Sequence, residues 1–465
     1  QGYGGANHRA EMLQLLATLP LSNDNGLALT PPLGWRSWNL FGADVSQKLI
    51  ESIMDGMVRK DRTVDGVPTS LCDLGYCDVG LDDNWQQCST AKGGLRFHDQ
   101  AGTPLVNTER FPDMAAMTAH AHKLGLTAGW YGNNCICSER LTGARKFYEG
   151  DVKAMRAYGF DSWKLDGCGA QLDLQLYDEL IKATPAQGGR DAVLVENCHW
   201  GRAVPYKPNA TWCPWNLYRT SGDVRAKYSS VVGNLRTTGY YASNNLSYPG
   251  CWAYPDMLEV GCQHGPGGAG DPGLSSSEAA THFAAWAIVS SPLTLSHDVN
   301  NATIMDAVWP IISNREAIAV NQAWAGHSGS AFYRSARTVA LGEVDYAAVL
   351  KGMGVAEVAA LGPAFAPRHE YYYKPLEAGG ARTAVLLMNN GDDAADLRLA
   401  FKDIPGVRCT RCHVRDIWAR RDLGDFDGGY LAEGVAAHAA PFLVITPSAA
   451  AAVVGTPASA VAAAA

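Results

Sequence analysis

The sequence predicts an α/β fold, a (β/α)8 TIM barrel followed by a C-terminal antiparallel β-sandwich. The chain has 465 residues and is 47% hydrophobic, enough for a large core and more than one domain. Eight short apolar segments alternate with helical patterns in its first two thirds, and the pattern changes to short alternating runs after about residue 327. We therefore expect a lead-in (1–28), a barrel (29–326), a sandwich (327–447) and an Ala-rich tail (448–465).

Each of the eight segments ends in polar or aromatic residues, as barrel strands do at their catalytic face. They lie near positions 34, 81, 129, 166, 196, 219, 254 and 294. Helical patterns such as "FPDMAAMTAHAHKLG" separate them, whereas the later part has runs such as "ARTAVLLMNNG" and "FLVITP" with Gly and Asp turns. This count and order favour eight βα units and then an antiparallel sandwich.

Charge and composition indicate which kind of binding partner and which cellular compartment to expect. The net charge is -8 without a Lys/Arg-rich run, which argues against nucleic acid, and no apolar run is long enough for a membrane span. Twelve cysteines, sequons at Asn209, Asn245 and Asn301, and a start at Gln1 without Met predict a mature form in an oxidising compartment. We expect a secreted, extracellular or vacuolar-lysosomal protein; its oligomeric state stays open.

The polar segment ends supply a candidate site for a neutral, hydroxyl-rich ligand. Carboxylates accept protons from hydroxyl groups, and tryptophan rings cover apolar ring faces. The acids and bases expected at the ends of strands 2, 4, 6 and 7 are Asp82, Asp83, Lys164, Asp166, Arg219, Asp223 and Asp256, and the aromatic candidates are Trp35, Trp38, Trp85 and Trp200.

Two of these carboxylates are suited to cleaving an acetal, one as nucleophile and the other as general acid and then base. Lys164, in "DSWKLDGCG", is two residues before Asp166 and shares its strand face, which favours the ionised carboxylate. Asp166 is therefore the better nucleophile. Asp223 follows the turn-like "RTSG", where a partly exposed carboxyl group can exchange protons with water.

Six ordered motifs resemble glycoside hydrolase family 27, the α-galactosidase family. They are "LTPPLGWRSWNLF", "LDDNW", "DSWKLDGCG", "YRTSGDV", "YPDMLEVG" and "SPLTLSHDV", across roughly residues 28–325. The later "VRDIWARRDLG" is similar to the family's C-terminal domain. The resemblance implies a retaining exo-α-galactosidase acting on oligosaccharides or glycoconjugates without cofactor or metal.

The resemblance also implies residue roles. Asp166 matches the nucleophile in K-x-D-G-C, and Asp223 matches the acid/base in R-x-x-x-D. The positions that match sugar-binding residues are Asp82 and Asp83 for the 4- and 6-hydroxyls, Lys164, Arg219, the ring-stacking Trp38, and Asp256, the last acid of D-P-D-M.

This sequence departs from the family pattern at several positions, so the resemblance does not determine which sugar the site binds. The strand-5 stretch that reads sugar position 2 is Cys-Glu-Trp or Cys-Ser-Trp in the family and Cys198-His199-Trp200 here. His199 either bonds a sugar hydroxyl or lies behind another residue at the sugar. Tyr254 replaces the first acid of D-P-D-M, and "GNNCIC" replaces a longer loop.

These changes keep several alternatives. The family includes α-N-acetylgalactosaminidase, isomaltodextranase and β-L-arabinopyranosidase members, and the fold also suits a non-catalytic glycan-binding or extracellular-matrix protein. The presence of both Asp82 and Asp83 favours an axial 4-hydroxyl.

The family resemblance further implies cysteine pairings. Ala43 and Asn84 stand where the family has a disulfide, so both partners are absent together. Cys168 is expected to pair with Cys135 or Cys137. Cys198 is expected to pair with Cys213.

Three other motifs suggest chemistry that we consider secondary. "CTRCH" (409–413) has the form of a haem attachment site, although a hairpin disulfide is favoured in a β domain. His120 and His122 do not share a helix face, so a solvated helix is favoured over a metal site. "QHGPGGAGDPG" (263–273) lacks the lysine of a phosphate loop and is expected to form a loop near the barrel mouth.

Overall fold

Eight parallel strands form one sheet, and all eight predicted segments contribute a strand. The computed structural model describes residues 25–88, 95–200, 212–263, 265, 270–341 and 365–448. The strands are β1 (Leu33–Arg36), β2 (Asp78–Gly80), β3 (Thr127–Gly132), β4 (Ser162–Asp166), β5 (Leu194–Cys198), β6 (Leu217–Arg219), β7 (Trp252–Tyr254) and β8 (Leu293–Leu295). Strand β8 pairs with β1, and each of β1 to β6 pairs with its successor. A hydrogen bond from the backbone N–H of Leu258 to the carbonyl of Thr294 (2.8 Å) joins the segment after β7 to β8. The predicted TIM barrel is confirmed.

Helices surround this sheet, and six of the eight begin at a Ser, Asp or Asn side chain that caps their first turn. The eight are α1 (Gln47–Val58), α2 (Met114–Lys123), α3 (Arg145–Tyr158), α4 (Leu174–Ala183), α5 (Tyr228–Ser243), α6 (Ser276–Ile288), α7 (Ala302–Ile312) and α8 (Arg315–Gln322). At α6, Ser275 and Glu278 form a reciprocal capping box. A short hairpin, Arg62–Val64 with Val67–Thr69, follows α1.

The C-terminal strands form the predicted antiparallel sandwich. They are β9 (Ser330–Arg334), β10 (Thr338–Ala340), β11 (Phe365–Pro367), β12 (His369–Pro375), β13 (Thr383–Asn389), β14 (Ala395–Ala400), β15 (Arg411–Asp416), β16 (Arg421–Asp427), β17 (Gly429–Val435) and β18 (Phe442–Pro447). A six-stranded sheet has the order β9-β12-β13-β18-β15-β16, and β14 with β17 forms a second layer. Leu387 and Leu397 share the core between these layers.

The barrel and sandwich share a continuous core. Phe283 and Trp286 of α6 belong to the same buried cluster as Leu386 and Phe442 of the sandwich. Lys374 of the sandwich also forms hydrogen bonds with the barrel domain, because its buried Nζ donates to the carbonyls at the end of α8. The predicted boundary at 326/327 falls between α8 and β9, and the domain limits stay predictions.

Five disulfides use ten of the twelve cysteines. They are Cys72–Cys77, Cys88–Cys137, Cys135–Cys168, Cys213–Cys251 and Cys409–Cys412. The expected Cys168 bridge exists, with Cys135 as its partner. The expected Cys198–Cys213 bridge is wrong, because Cys213 bonds to Cys251 beside β7 and leaves Cys198 free at the end of β5.

Two other sequence-based expectations have a direct structural outcome. Where the family disulfide is missing, the Asn84 side-chain amide donates to the carbonyl of Ala43 (2.6 Å), so a hydrogen bond joins the same two positions. In "CTRCH", Cys409 and Cys412 are bonded to each other, which contradicts the haem alternative because neither thiol is left for a thioether.

The two histidines of helix α2, His120 and His122, each contact a different carboxylate. His120 contacts Asp55 and His122 contacts Asp161, at 2.9 and 2.8 Å. Over the part of the chain that the structure describes, no helix is long and apolar enough to cross a membrane. Residues 1–24, Asn209, five of the eleven residues of the Gly-rich loop (264 and 266–269) and the tail from 449 lie outside the described residues.

Candidate active site

One pocket at the carboxyl end of the barrel strands brings together nine of the ten predicted site residues. It is lined by Trp38, Asp82, Asp83, Tyr131, Cys135, Lys164, Asp166, Trp200, Arg219, Asp223, Asp256 and Met257. Parallel strands of a closed barrel end at one mouth, which is why residues far apart in sequence meet here. His199 is the predicted residue outside this lining.

Asp166 is the last residue of β4, and its carboxylate is held by two donors. Oδ1 accepts from the backbone N–H of Cys168 at 3.1 Å, and Oδ2 accepts from the hydroxyl of Tyr131 at 3.0 Å. Gly167 then leaves space for the Trp200 ring, since a Cβ there would lie 3.2 Å from it. The carboxylate is thus fixed in direction at the base of the pocket.

The electrostatics of Asp166 differ in part from the expectation. Burial raises its pKa to about 7, although the charge of Lys164 opposes the rise as predicted. Lys164 itself donates to Asp82 Oδ2 at 2.8 Å, so its direct partner is not the predicted nucleophile. Burial opposes the Lys164 charge, yet Asp82 and its other acidic neighbours hold the pKa of this lysine well above its usual value.

Asp83 anchors the loop after β3. Its Oδ2 accepts from the backbone N–H groups of Cys135 (3.0 Å) and Ile136 (2.9 Å), and Oδ1 accepts from that of Asn84 (2.7 Å). Burial raises the pKa of Asp83 against these donors. The two consecutive acids therefore have different environments, with Asp82 paired to a lysine and Asp83 bonded to backbone.

Arg219 is the last residue of β6, and one nitrogen of its guanidinium group contacts two carboxylates. Its Nη2 lies 3.0 Å from both Asp223 Oδ1 and Asp256 Oδ2. The side chain of Asp223 is 59% exposed, whereas that of Asp256 is 3% exposed. Burial raises the pKa of Asp256 to about 6, with Arg219 opposing the rise.

Two neighbours at the end of β5 face different ways. The Nε2 of His199 lies 3.1 Å from the backbone carbonyl oxygen of Asp166, and the ring is buried behind the strand end. Trp200 takes positive φ (56°) and lines the pocket. Of the two alternatives for His199, this geometry matches the one in which another residue faces the sugar.

Sequence reasoning missed three lining residues and misplaced two aromatics. Tyr131 is the penultimate residue of β3, and this place at the strand end was the available signal. Cys135 and Met257 lie within the quoted "GNNCIC" and "YPDMLEVG", which were the signals for them. Trp35 and Trp85 are buried, and their indole N–H groups donate to backbone carbonyls of His297 and Tyr131. Both rings therefore pack in the barrel core, Trp35 from strand β1 and Trp85 from the segment after β2.

The residues around Asp166 do not form a metal centre. Cys135, Asp166 and Cys168 have ligand atoms within 4.8 Å of one another. Both sulfurs belong to one disulfide, however, and a disulfide supplies no thiolate ligand.

A buried carboxylate and an exposed one in a tryptophan-lined pocket at this end of a TIM barrel define the class of barrel glycoside hydrolases. Family comparisons agree: the model described as Alpha galactosidase A matches residues 30–323, and the Alpha galactosidase C-terminal beta sandwich domain matches 367–445. The chain belongs to this α-galactosidase family, glycoside hydrolase family 27.

Relatives extend over most of the chain. An α-galactosidase from Coffea arabica is 30% identical, covering 91% of this chain and 95% of that protein. The solved α-galactosidase I of Mortierella vinacea has a TM-score of 0.67 at 24% identity, covering 92% of this chain and 99% of its own. A β-L-arabinopyranosidase from Geobacillus stearothermophilus also reaches 0.67, at 16% identity, covering 92% and 98%. The fold therefore does not select the sugar.

Proposed function

We propose that this chain hydrolyses terminal α-D-galactosyl residues by double displacement, with Asp166 as nucleophile and Asp223 as acid/base. The observation that carries the proposal is the contrast between these two carboxyl groups of one pocket. Asp166 is buried and held by Tyr131 and Cys168, whereas Asp223 is open to solvent. A fixed nucleophile and a proton-exchanging partner are what a retaining glycosidase needs.

The contacts support distinct roles for Asp166 and Asp223 in the two steps of the reaction. In the first, Asp166 attacks the anomeric carbon while Asp223 protonates the departing oxygen; in the second, Asp223 takes a proton from the attacking water. Arg219 holds Asp223 by a 3.0 Å contact and so keeps the acid over the bond that breaks. The Tyr131 and Cys168 donors stabilise the Asp166 anion before attack and after release.

Binding of the sugar is assigned to the remaining lining residues. Asp82, charge-paired with Lys164, presents an acceptor for hydroxyl groups, and Trp38 and Trp200 supply aromatic surface. We propose that Asp82 and Asp83 hold an axial 4-hydroxyl and the 6-hydroxyl. Trp200, instead of His199, would then contact the substituent at carbon 2.

The test is release of nitrophenol from nitrophenyl α-galactoside by the full chain. Asp166→Asn should lower kcat by at least about 1,000-fold, and Asp223→Asn by at least about 100-fold with this activated leaving group. Asp113→Asn is the matched control, because Asp113 caps α2 and does not line the pocket, and Asn also caps helices. Equal activity of Asp166→Asn and wild type would exclude Asp166 as nucleophile.

Azide separates the two roles by stereochemistry. Added azide should attack the glycosyl-enzyme of Asp223→Asn and give the α-galactosyl azide. With Asp166→Gly, azide should replace the carboxylate and give the β-galactosyl azide. The opposite products would reverse the assignments.

A second candidate is a member of the family with another sugar. The equal TM-scores of the Mortierella and Geobacillus enzymes favour testing it directly. Faster turnover of nitrophenyl β-L-arabinopyranoside or α-N-acetylgalactosaminide than of the α-galactoside would establish it. Binding of galactose without turnover of any nitrophenyl glycoside would indicate the non-catalytic alternative.

We also propose that the protein works outside the cell or in a vacuolar-lysosomal compartment. The five disulfides of the described residues favour an oxidising compartment. Non-reducing peptide mapping of the natural protein tests this proposal. Twelve free thiols would contradict it.

A further inference from the structure

A free cysteine lies between the two proposed catalytic groups. Cys198 ends β5 and is buried, and it is free because Cys213 is bonded to Cys251. Its Sγ lies 4.0 Å from Asp166 Oδ2 and 3.5 Å from Arg219 Nη1. Strands β4, β5 and β6 are adjacent in the sheet, which places these three side chains side by side.

The same arginine continues the contact toward the second carboxylate. Arg219 Nη2 donates to Asp223 Oδ1 at 3.0 Å. A hydrogen-bonded path therefore runs from Asp166 through the Cys198 sulfur and the Arg219 guanidinium to Asp223. The carboxylate of Asp256 contacts the same Nη2, so it is linked to Arg219 but does not lie between Asp166 and Asp223.

We propose that Cys198 is a positioning residue that couples the two catalytic carboxylates, donating its S–H to Asp166 and accepting an N–H from Arg219. The inference rests on the proposed function. Because the guanidinium has only donors, its contact with the sulfur leaves the thiol proton pointing to the carboxylate. Burial, with the nearby Asp166, raises the pKa of the thiol well above its usual value, so the proton stays on sulfur.

The altered disulfide pairing is what makes this role possible. A sulfur in a Cys198–Cys213 bridge would carry no proton and would offer Asp166 no donor. The Cys213–Cys251 bond joins the loop before β6 to the start of β7 and leaves the thiol intact. The cysteine that the family resemblance assigned to structure is thus assigned here to the reaction centre.

The test compares Cys198→Ala and Cys198→Ser with wild type, and uses Cys262→Ala as a control. Cys262 is the other free buried cysteine, and its Sγ contacts the carbonyl of Leu258, not a pocket carboxylate. Cys198→Ala should lower kcat/KM by about 2- to 13-fold, the range of one neutral hydrogen bond. The acid limb of its pH profile should move to higher pH, because the Asp166 anion loses a donor.

Cys198→Ser should restore the wild-type acid limb at least in part, and Cys262→Ala should leave both quantities unchanged. A wild-type pH profile in Cys198→Ala would overturn the proposal. So would peptide mapping that finds Cys198 in a disulfide. If Cys198→Ala fails to fold, an unshifted acid limb in Cys198→Val decides against the coupling.

A readout without turnover keeps this inference separate from the proposed function. The Asp166 carboxyl group can be titrated by carbon NMR with labelled aspartate, using Asp166→Asn for assignment. A higher Asp166 pKa in Cys198→Ala supports the coupling even if the wild type hydrolyses none of the glycosides. An unchanged Asp166 pKa in that variant contradicts the coupling even if the enzyme is active.

Discussion

The carboxyl group of Asp166 is buried, lies near two other acids, and has one nearby lysine. Burial has the largest effect on it and raises its pKa to about 7, while Lys164 lowers it. A nucleophile must be ionised, so kcat/KM should fall as pH drops through about 7, well above the usual range for aspartate. A pH profile of kcat/KM with nitrophenyl α-galactoside measures this limb.

Lys164→Met should move that acid limb still higher. The lysine charge favours the ionised form of Asp166, so its removal makes protonation easier at a given pH. The variant also leaves Asp82 without its 2.8 Å partner, and KM should rise. Lys182→Met is the matched control, since that exposed lysine pairs with Asp178 one turn away in its own helix and does not line the pocket. An acid limb near pH 4 in the wild type would contradict the first expectation, and an unshifted limb in Lys164→Met would contradict the second.

At the level of single residues, sequence reasoning located the site better than it described its contacts. Asp166, Arg219 and Asp256 follow apolar strand segments, so their position at the barrel mouth follows from strand direction alone. Partner choice depends on distances between strands. Lys164 was expected to serve Asp166 because both share β4, but Asp82 on the neighbouring segment approaches it more closely.

At the level of elements, a buried cluster joins the loop before α2 to α3. His98 lies 2.9 Å from both Glu139 and Asp151, and all three side chains are buried. Burial opposes the His98 charge, but Asp151 and Glu139 outweigh it and raise its pKa to about 9. The ordinary histidine value is 6.5, so this stabilisation is complete below about pH 6.5 and is lost as pH rises through about 9.

We expect His98→Gln to lower the free energy of unfolding by about 3 kcal/mol at pH 6, because it leaves two buried carboxylates without their cation. The loss should shrink above pH 9, where the wild type has lost the same charge. Urea unfolding at both pH values measures it. His120→Gln is the control, since His120 is partly exposed and pairs with the exposed Asp55. An equal loss at both pH values would refute a charged His98.

The Cys135–Cys168 disulfide connects two loops, after β3 and after β4, whose backbone N–H groups hold two pocket acids. The backbone N–H of Cys135 donates to Asp83 and that of Cys168 to Asp166. Replacing both cysteines by alanine should cost about 4 kcal/mol of stability for a loop of this length. It should also lower kcat/KM, because both acids lose a fixed donor.

Thermal unfolding and steady-state kinetics measure the two effects of that double variant. The control is the Cys409→Ala and Cys412→Ala pair, whose disulfide spans three positions in the sandwich. It should leave kcat/KM unchanged. A fully active Cys135→Ala and Cys168→Ala double variant would show that the bridge is not needed to place the acids.

Strands were predictable from local sequence, whereas loop connections were not. An apolar run followed by Gly, as in Leu165, Asp166 and Gly167, marks a buried strand and its end by itself. The Cys213–Cys251 bond depends on two loops that meet only once β6 and β7 pair. The spacing of the cysteines in the sequence does not show that these loops are close together. The family resemblance implied Cys198, not Cys251, as the partner of Cys213.

Across the whole molecule, the barrel and sandwich are joined by apolar and polar contacts of the same interface. The buried cluster continues from α6 into β13 and β18. At its edge, the hydroxyl of Tyr228 donates to Asn390 Oδ1 at 2.7 Å, and Asn314 donates to the carbonyl of Ile417 at 2.9 Å. Separating the domains would expose this apolar surface and leave these polar groups unpaired. The two domains should therefore unfold together.

Calorimetry of two core variants tests this cooperativity. Phe442→Ala removes a ring from the shared cluster, and Leu397→Ala removes a side chain from the core inside the sandwich. Each should cost about 2 to 5 kcal/mol. If the molecule unfolds as one unit, both variants shift a single transition whose calorimetric and van't Hoff enthalpies agree. If Leu397→Ala instead splits off an earlier transition and nitrophenol release persists above it, the sandwich is an independent unit and the barrel alone carries the activity.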